Sequence, residues 1–274
     1  MKFLAYSFSI LILLFLSCAE HKTIQIAGSE TISPIVQKAV EQFEKIHPEI
    51  SITVTAGGTG NGIRQIGESQ IQIAMGSRDV TWQEKKQYPN ANFQLHAFAK
   101  DAVVPAASAA ILNNGVRALS LRQIGDIYAG KITNWKTLGG PDRDIEAIDT
   151  DQSSGTRHIF MARILKDRNA QAQGVDRVVP SDKERLAAIT NSNAAIGMLP
   201  RTWLNRTVPG LGIQVAGGVI IPTDENIQKN RYPTSRELFL ITPGAPTGDV
   251  KLFIDFLLST EGQKIVKDAG FVPI

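Results

Sequence analysis

The sequence is poor in cysteine and histidine, and this limits the chemistry it can carry. Cys18 is the single cysteine among 274 residues, so no disulfide can form within the chain. The four histidines are scattered, with no His-Glu-x-x-His motif and no cluster with cysteine. We therefore expect no resident metal, no cofactor and a fold that depends on its hydrophobic core.

An excess of one charge is also lacking. The chain has 29 Lys and Arg against 26 Asp and Glu, and its net charge is +3, without any run of five basic residues. Nucleic acid is therefore not an expected partner. The composition, with 43% hydrophobic and 20% charged residues, is typical of a soluble globular protein. The length predicts one large domain or two modest ones.

The only long apolar run lies near the start of the sequence. Lys2 is followed by an apolar core at residues 10–16 and by Ser17, directly before Cys18. This run is too short to cross a bilayer as a helix of the mature protein, so residues 1–17 are predicted to be an export signal peptide. The segment resembles the lipobox of bacterial lipoproteins, in which the cysteine becomes an acylated N-terminus. The alternative is plain secretion with a spare cysteine.

The first unit after this segment is a strand, a polar loop and a helix. Residues 23–27 alternate between apolar and polar, which indicates a strand, and the run Gly-Ser-Glu-Thr-Ile-Ser-Pro follows at residues 28–34. Ser33 is the predicted cap of a helix that begins at Pro34 and ends before His47 and Pro48.

Two further units repeat this arrangement. A strand at 50–55 leads into a glycine-rich loop at 56–62 and a helix from about Ile63, and a strand at 71–75 ends in Gly-Ser-Arg-Asp at 76–79. Strands that alternate with helices predict a parallel sheet. Ligands bind at the carboxyl ends of its strands.

A fourth loop of the same kind follows a predicted strand at 145–148. It contains Ser-Ser-Gly-Thr at 153–156 and precedes an amphipathic helix. Hydroxyl groups and free backbone N–H groups at helix starts suit an anion, although each loop alone could be a turn with a helix cap. Ser154 and His158 could also be a nucleophile with its base, but a cap and a first-turn residue are the favoured interpretation.

In this order, the four loops resemble those of the periplasmic phosphate-binding proteins of ABC phosphate importers, in their short form. Further stretches agree, including the one from Leu121 through Lys-Ile-Thr-Asn-Trp at 131–135 to Pro141. Others are Ala-Ile-Gly-Met at 195–198, Tyr-Pro-Thr-Ser-Arg-Glu-Leu at 232–238 and the segment from Phe256 to Pro273. The resemblance covers essentially the whole mature chain.

The resemblance implies an α/β fold of the two-lobed periplasmic binding protein class, type II, with parallel-sheet lobes joined by a hinge. Residues 18–22 would be the linker of the lipid anchor, residues 23–100 plus 228–274 the first lobe, and residues 101–227 the second lobe. The lobes would close on an oxyanion by a hinge motion. The protein would be exported to the periplasm or cell surface and held there as a membrane-anchored lipoprotein.

The resemblance also implies a function. The chain would be a monomeric receptor and not an enzyme, and it would deliver inorganic phosphate or a similar oxyanion to the permease of an ABC transporter. Most of the candidate ligand-binding residues match the family's ligand-contacting positions, Arg78 is added as a possible source of positive charge, and Gln152 stands at the position of an aspartate in longer members. The candidates are Glu30, Thr31, Thr59, Ser77, Arg78, Gln152, Ser154, Gly155 and Thr156, with Cys18 for lipidation.

Two positions depart from the family pattern. Thr150 stands where phosphate binders of this family usually carry an arginine, and Gln152 stands where longer members carry an aspartate that accepts the proton of bound phosphate. Glu30 is the candidate replacement for the acceptor. The missing positive charge could come from a set of three arginines, Arg64, Arg78 and Arg157.

These departures leave other functions open. The ligand could be another tetrahedral oxyanion or a small phosphorylated compound, and the protein could be a surface sensor. A phosphoesterase with Ser154 or Thr156 as nucleophile and His158 as base is disfavoured, because such hydrolysis usually needs metal ions and the sequence shows no metal cluster.

Overall fold

The computed structural model describes residues 23–167 and 171–274. The predicted signal peptide, the linker and Cys18 lie outside the described residues. The strands are β1 (Thr23–Gly28), β2 (Ser51–Ala56), β3 (Ile73–Gly76), β4 (Phe93–Ala107), β5 (Ala118–Ser120), β6 (Glu146–Thr150), β7 (Arg177–Val179), β8 (Ala195–Pro200), β9 (Gly212–Val215), β10 (Gly218–Ile220), β11 (Ser235–Pro243) and β12 (Val272–Pro273). The α-helices are α1 (Ser33–Ile46), α2 (Thr59–Gly67), α3 (Trp82–Gln87), α4 (Ala109–Asn113), α5 (Leu121–Tyr128), α6 (Gly155–Ile164), α7 (Asp182–Thr190), α8 (Asp224–Gln228), α9 (Gly248–Leu258) and α10 (Thr260–Asp268).

Helix α1 follows the predicted pattern. Its apolar residues at 35, 36, 39, 40 and 43 are buried on one face, and it ends at Ile46 before His47 and Pro48. The predicted cap is wrong by one residue, because Ile32 is the capping residue and Ser33 already lies in the first turn. The backbone N–H of Ser33 bonds the carbonyl of Ser29, so the chain has begun to turn before the helix starts.

Helix α2 begins at Thr59, four residues before the predicted start at Ile63. Glycine has a poor helix propensity, which is why the glycine-rich run predicted a loop. Tertiary packing overrides that preference, since Ile63 and Ile66 are buried. A Cβ at Gly62 would lie only 2.7 Å from the carbonyl oxygen of Ala27, so the glycine lets this helix lie close against β1.

The main sheet has the strand order β2-β1-β3-β11-β4-β8-β6-β7, and β12 pairs with β4. At one end β1 is parallel to β2 and β3, and at the other end β6 is parallel to β7 and β8. The two middle strands differ, because β4 and β11 run antiparallel to each other and to their outer neighbours. The predicted parallel sheet is therefore correct for the two outer parts and incomplete in the middle.

The two largest hydrophobic clusters mark two lobes. The first core contains Phe43 of α1 together with Phe253 and Leu257 of α9, and the second contains Trp135 and Phe160. Strand β4 crosses from one core to the other: its first part pairs with β11, and the part from residue 103 pairs with β8. The two-lobed α/β fold is confirmed, whereas the predicted lobe boundaries stay a prediction.

None of the helices in the described part of the chain has the length and apolar character needed to cross a membrane.

Candidate functional site

A cavity of about 310 Å³ lies between the two lobes. Loops that follow β1, β2 and β3 supply its wall in the first lobe, and loops that precede α6 and α7 supply its wall in the second. The lining residues are Ser29, Glu30, Thr31, Gly57, Gly58, Thr59, Asn61, Ser77, Thr150, Asp151, Ser153, Ser154, Gly155, Thr156, Pro180 and Asp182.

Helix starts and hydroxyl groups dominate this lining. Helices α2, α6 and α7 all begin at the cavity, and the first backbone N–H groups of a helix have no partner within it. Ser154 caps α6 by accepting a hydrogen bond from the backbone N–H of Arg157, as its position in the sequence predicts. The aligned dipoles of these helices make the cavity favourable for an anion.

Gly155 brings the second lobe close to the donors of the first. A Cβ at this position would overlap both Ser77 Oγ and Thr59 Oγ1. Thr59 Oγ1 accepts from the backbone N–H of Ser77 at 3.1 Å, and the two side-chain oxygens are 3.1 Å apart. The three residues therefore lie close together in the cavity lining.

Hydrogen bonds connect the two lobes around the cavity. The backbone N–H of Gly60 donates to the carbonyl of Ser153 at 3.0 Å, and the backbone N–H of Asp182 donates to Glu30 Oε2 at 3.2 Å. Thr31 Oγ1 donates to Asp182 Oδ2 at 3.3 Å. The structure therefore has the lobes in contact, in a closed arrangement.

Three carboxyl groups line the cavity, from Glu30, Asp151 and Asp182. Burial raises the pKa of the half-buried Glu30, and the neighbouring charge of Asp182 raises it further, against the lowering effect of the hydrogen bond from the Asp182 backbone. Hydrogen bonds from the side chain and the backbone of Ser153 lower the pKa of Asp151. Asp182 forms a buried ion pair with Arg185, one turn further along α7.

The three arginines that were candidates for the positive charge each face a carboxylate. Arg78 forms a two-pronged ion pair with Glu84, at 2.7 and 2.9 Å. Arg157 donates to Asp149 Oδ2 at 2.9 Å, and Arg64 donates to Glu68 at 2.6 Å on the outer face of α2. Among the residues that line the cavity in the described part of the chain, there is no lysine or arginine.

The structure brings most of the predicted site residues together. Two do not line the cavity: Gln152 is exposed, and Arg78 lines a separate hollow together with Arg163. A ligand role for these two stays a prediction that no contact in the cavity supports. The predicted residues that line it are Glu30, Thr31, Thr59, Ser77, Ser154, Gly155 and Thr156.

Sequence reasoning missed Asp182 and a buried arginine, Arg236. A signal for Asp182 was present, because Ser181 precedes it at the start of a helix and caps that helix. Arg236 lies behind the cavity wall, where it donates to Thr156 Oγ1 at 3.1 Å and forms an ion pair with Asp101 at 2.7 Å. Only the tertiary structure brings it near the site, since it is far away in sequence.

Within residues 23–167 and 171–274, no group of three or more His, Cys, Asp and Glu side chains is arranged to hold a metal ion.

Comparison with known proteins gives a consistent result. Residues 18–261 match the family model described as a PBP superfamily domain. The chain is 34% identical to the phosphate-binding protein PstS of Bacillus subtilis over 254 residues, which covers 92% of this chain and 81% of that protein. It is 31% identical to the protein of the same name from Borreliella burgdorferi, over 92% of this chain and 90% of that one.

Solved structures agree with the sequence relatives. A substrate-binding protein of a phosphate ABC transporter from Clostridium perfringens, solved with bound phosphate, superimposes with a TM-score of 0.83 at 29% identity and covers 92% of this chain and 100% of that one. An ABC-type phosphate transport receptor from Vibrio cholerae gives a TM-score of 0.76 at 27% identity, with 92% and 100% of the two chains covered.

Proposed function

The chain belongs to the PBP superfamily and, within it, to the bacterial phosphate-binding proteins named PstS, and we propose that it captures inorganic phosphate between its lobes and delivers it to an ABC importer. The observation that carries the proposal is the convergence of helix starts and hydroxyl groups from both lobes on one cavity. Capture requires no chemical change of the ligand. We therefore propose a receptor without catalytic activity.

The donors of the cavity support an oxyanion ligand. Thr59, Ser77 and Thr156 are fully or almost fully buried, and their hydroxyl groups lie at the cavity wall. A buried hydrogen bond to a charged group contributes about 1.5–3 kcal/mol, so several such donors can bind an anion without a cation in contact with it. The cavity volume of about 310 Å³ is at the lower end of the range for small-molecule sites.

The carboxylates of the cavity favour a protonated oxyanion. An ionised carboxylate can only accept hydrogen bonds, and Glu30 and Asp182 both face the cavity. Hydrogen phosphate carries an O–H group that can donate to either of them, whereas sulfate at neutral pH carries none and meets repulsion. We propose that these two carboxylates discriminate phosphate and arsenate from sulfate.

The test is isothermal titration calorimetry of the soluble domain after bound ligand has been removed by unfolding and refolding. Phosphate is titrated first, with arsenate, sulfate and a phosphomonoester as comparators. The proposal expects tight binding of phosphate and arsenate and no measurable binding of sulfate. A folded domain that binds none of these anions would refute the proposal.

One observation favours a different ligand of the same chemical class. Thr150 occupies the position of the expected arginine, and no basic side chain in the described residues lines the cavity in its place. A ligand that carries a single negative charge and still has an acidic O–H group, such as a singly protonated alkylphosphonate, would suit a cavity with this composition. Binding of an alkylphosphonate that is tighter than binding of phosphate would support this second candidate.

We also propose that Cys18 carries a lipid anchor, as the preceding signal-like segment indicates. The Cys18→Ser variant is expected to move from the membrane fraction to the soluble fraction of cells. The matched control is Ser17→Ala, which keeps the cysteine and a small residue before it. A variant without the cysteine that stays with the membrane would show that another feature holds the protein there.

The lobe boundaries at residues 100/101 and 227/228 belong to the same proposal. Strand β4 changes its pairing partner from β11 to β8 near residue 102, and this supports a hinge at the first boundary. Closure of the lobes about this hinge is the motion expected of a protein that encloses its ligand. Small-angle scattering with and without phosphate would test it, with a smaller radius of gyration expected when the ligand is bound.

A further inference from the structure

Arg236 connects the hinge to the binding cavity. It is paired in register with Asp101, so the two side chains belong to directly opposite residues of the neighbouring antiparallel strands β11 and β4. Arg236 donates to Asp101 Oδ2 from Nη2 at 2.7 Å and from Nε at 3.2 Å. Both side chains are buried, with relative exposures of 1% and 0%.

The same guanidinium reaches one threonine in each lobe. Its Nη1 donates to Thr156 Oγ1 of the second lobe at 3.1 Å, and its Nη2 donates to Thr31 Oγ1 of the first lobe at 3.5 Å. Both threonines line the cavity, whereas Arg236 lies behind them. A ligand in the cavity would therefore touch the threonines and not the arginine.

This geometry fixes which atoms the threonines can offer. A guanidinium has donors only, so each threonine oxygen must use a lone pair to accept from Arg236. The single hydroxyl hydrogen must then point elsewhere. Thr156 can direct it to Thr31 Oγ1, 3.4 Å away, or into the cavity, and Thr31 can direct it to Asp182 or into the cavity.

We propose that Arg236 is a positioning residue that makes Thr31 and Thr156 hydrogen donors toward the ligand and so sets the cavity's preference for anions. The inference rests on the proposed function, in that it takes the ligand to be an oxyanion. Arg236 also supplies positive charge immediately behind the donors, at the place where the two lobes and the hinge strands meet. Anion binding and lobe closure then depend on one side chain.

The test uses a matched pair of variants that both lack the hinge ion pair. Asp101→Asn keeps the guanidinium, whereas the double variant Asp101→Asn/Arg236→Gln removes it and leaves no buried carboxylate without a partner. The proposal expects Asp101→Asn to bind phosphate at least tenfold more tightly than the double variant in calorimetry. If the ion pair acted only as a structural link in the hinge, the two variants would bind equally, and the proposal would fail.

A second comparison tests whether the effect passes through a threonine. Thr156→Val removes the hydroxyl and keeps the shape of the side chain. In the Asp101→Asn background, the loss of affinity caused by Arg236→Gln is expected to shrink at least threefold when Thr156→Val is also present. If the fold-losses of phosphate affinity caused by Arg236→Gln and by Thr156→Val simply multiply, Arg236 does not act through this hydroxyl.

Arg236→Lys provides the conservative rescue, in the same Asp101→Asn background. Lysine keeps a positive charge and donors, so it is expected to recover part of the affinity lost with glutamine; no recovery would count against the proposal.

The wild-type titration separates the proposed function from the proposed role of Arg236. A wild type that binds no oxyanion refutes the proposed function, whereas a wild type that binds one, with variants that bind equally, refutes only the role of Arg236.

Discussion

The two walls of the cavity are held in place in different ways. In the first lobe, backbone hydrogen bonds tie the loops that follow β1 and β2 to the sheet: Gly57 and Gly58 both donate to the carbonyl of Gly28 at 2.8 Å. In the second lobe, buried ion pairs hold the helix starts, with Arg157 on Asp149 and Arg185 on Asp182. One wall depends on main-chain geometry, and the other depends on charge.

This difference has a consequence for the electrostatics of the site. A backbone bond leaves no net charge, whereas each ion pair brings a carboxylate into or beside the cavity and neutralises it with an arginine. The charges of Asp149 and Asp182 are therefore balanced only while Arg157 and Arg185 are present. We expect changes on this side to affect stability and affinity together, and changes of side-chain donors on the first side to act mainly on affinity.

The largest expected effect is that of Arg185→Met. The substitution removes the cation beside Asp182, whose side chain is only 5% exposed. A buried charge that loses its partner typically costs about 3–5 kcal/mol, and a loss of this size is expected in urea unfolding at neutral pH. The double variant Asp182→Asn/Arg185→Met should recover most of it. A single variant as stable as the double variant would show that the pair is not needed to hold this wall.

The next effect concerns one hydroxyl group from each wall. Thr59→Ala combined with Ser154→Ala is expected to lower phosphate affinity at least tenfold, because each donor to a charged ligand contributes about 1.5–3 kcal/mol. Calorimetry measures the change. An unchanged affinity would show that these loops do not contribute to the binding site.

Ser154 also caps α6, so a control is needed for lost stability. Ser120 caps α5 in the same way, by accepting from the backbone N–H of Gln123, and it does not line the cavity. Ser120→Ala should lower the free energy of unfolding by about 1 kcal/mol and leave phosphate affinity unchanged. A matching fall in affinity would mean that general loss of stability explains the result for the double variant.

A smaller effect is expected from Glu30, the carboxylate contributed by the first wall. Wild-type affinity should fall as the pH rises and phosphate loses its second proton. The ionised carboxylate then faces a ligand that has fewer O–H groups to donate and more negative charge. Glu30→Gln removes the charge and should make this fall shallower. Titrations at several pH values would measure it, and parallel profiles for the two proteins would exclude Glu30 as the partner of that proton.

The smallest effect is on stability without ligand. The pKa of Glu30 is raised above its ordinary value of 4.5, mainly by burial, so its stabilising contribution is present below that value and is lost as the pH rises through the raised pKa. Near neutral pH, Glu30→Gln should therefore be more stable than wild type, by less than about 1 kcal/mol because water screens a half-buried group. Thermal unfolding should show the advantage disappear in acid, and an advantage that persists there would have another cause.

Local signals in the sequence predicted much of the fold. The apolar spacing and Pro34 located α1, and the alternating residues located β1. The early start of α2 could not be predicted, because the local propensity of its glycines opposes a helix and the close approach of Gly62 to β1 is a tertiary contact. The antiparallel direction of β4 and β11 depends on how the chain crosses between lobes, which no short pattern encodes.

The candidate site shows the same contrast between features that local sequence signals predict and features that tertiary contacts determine. Residues that repeat a motif at the start of a helix, such as Thr59 and Ser154, could be predicted, and the structure places them at one cavity. The partners of charged side chains could not. Arg78 pairs with Glu84, six residues away, through the turn that caps α3, and Arg236 pairs with Asp101 across two strands, so neither partner follows from helical spacing.

The path of the chain through the two lobes has a mechanical consequence. Both β1 and β12 belong to the first lobe's part of the main sheet, and the second lobe lies between β4 and β11 along the chain. A force applied to Thr23 and Val272 would therefore act first on the two-residue contact of β12 with β4. The second lobe would bear tension only after the first had begun to open, so in a pulling experiment it should be the last part to unravel.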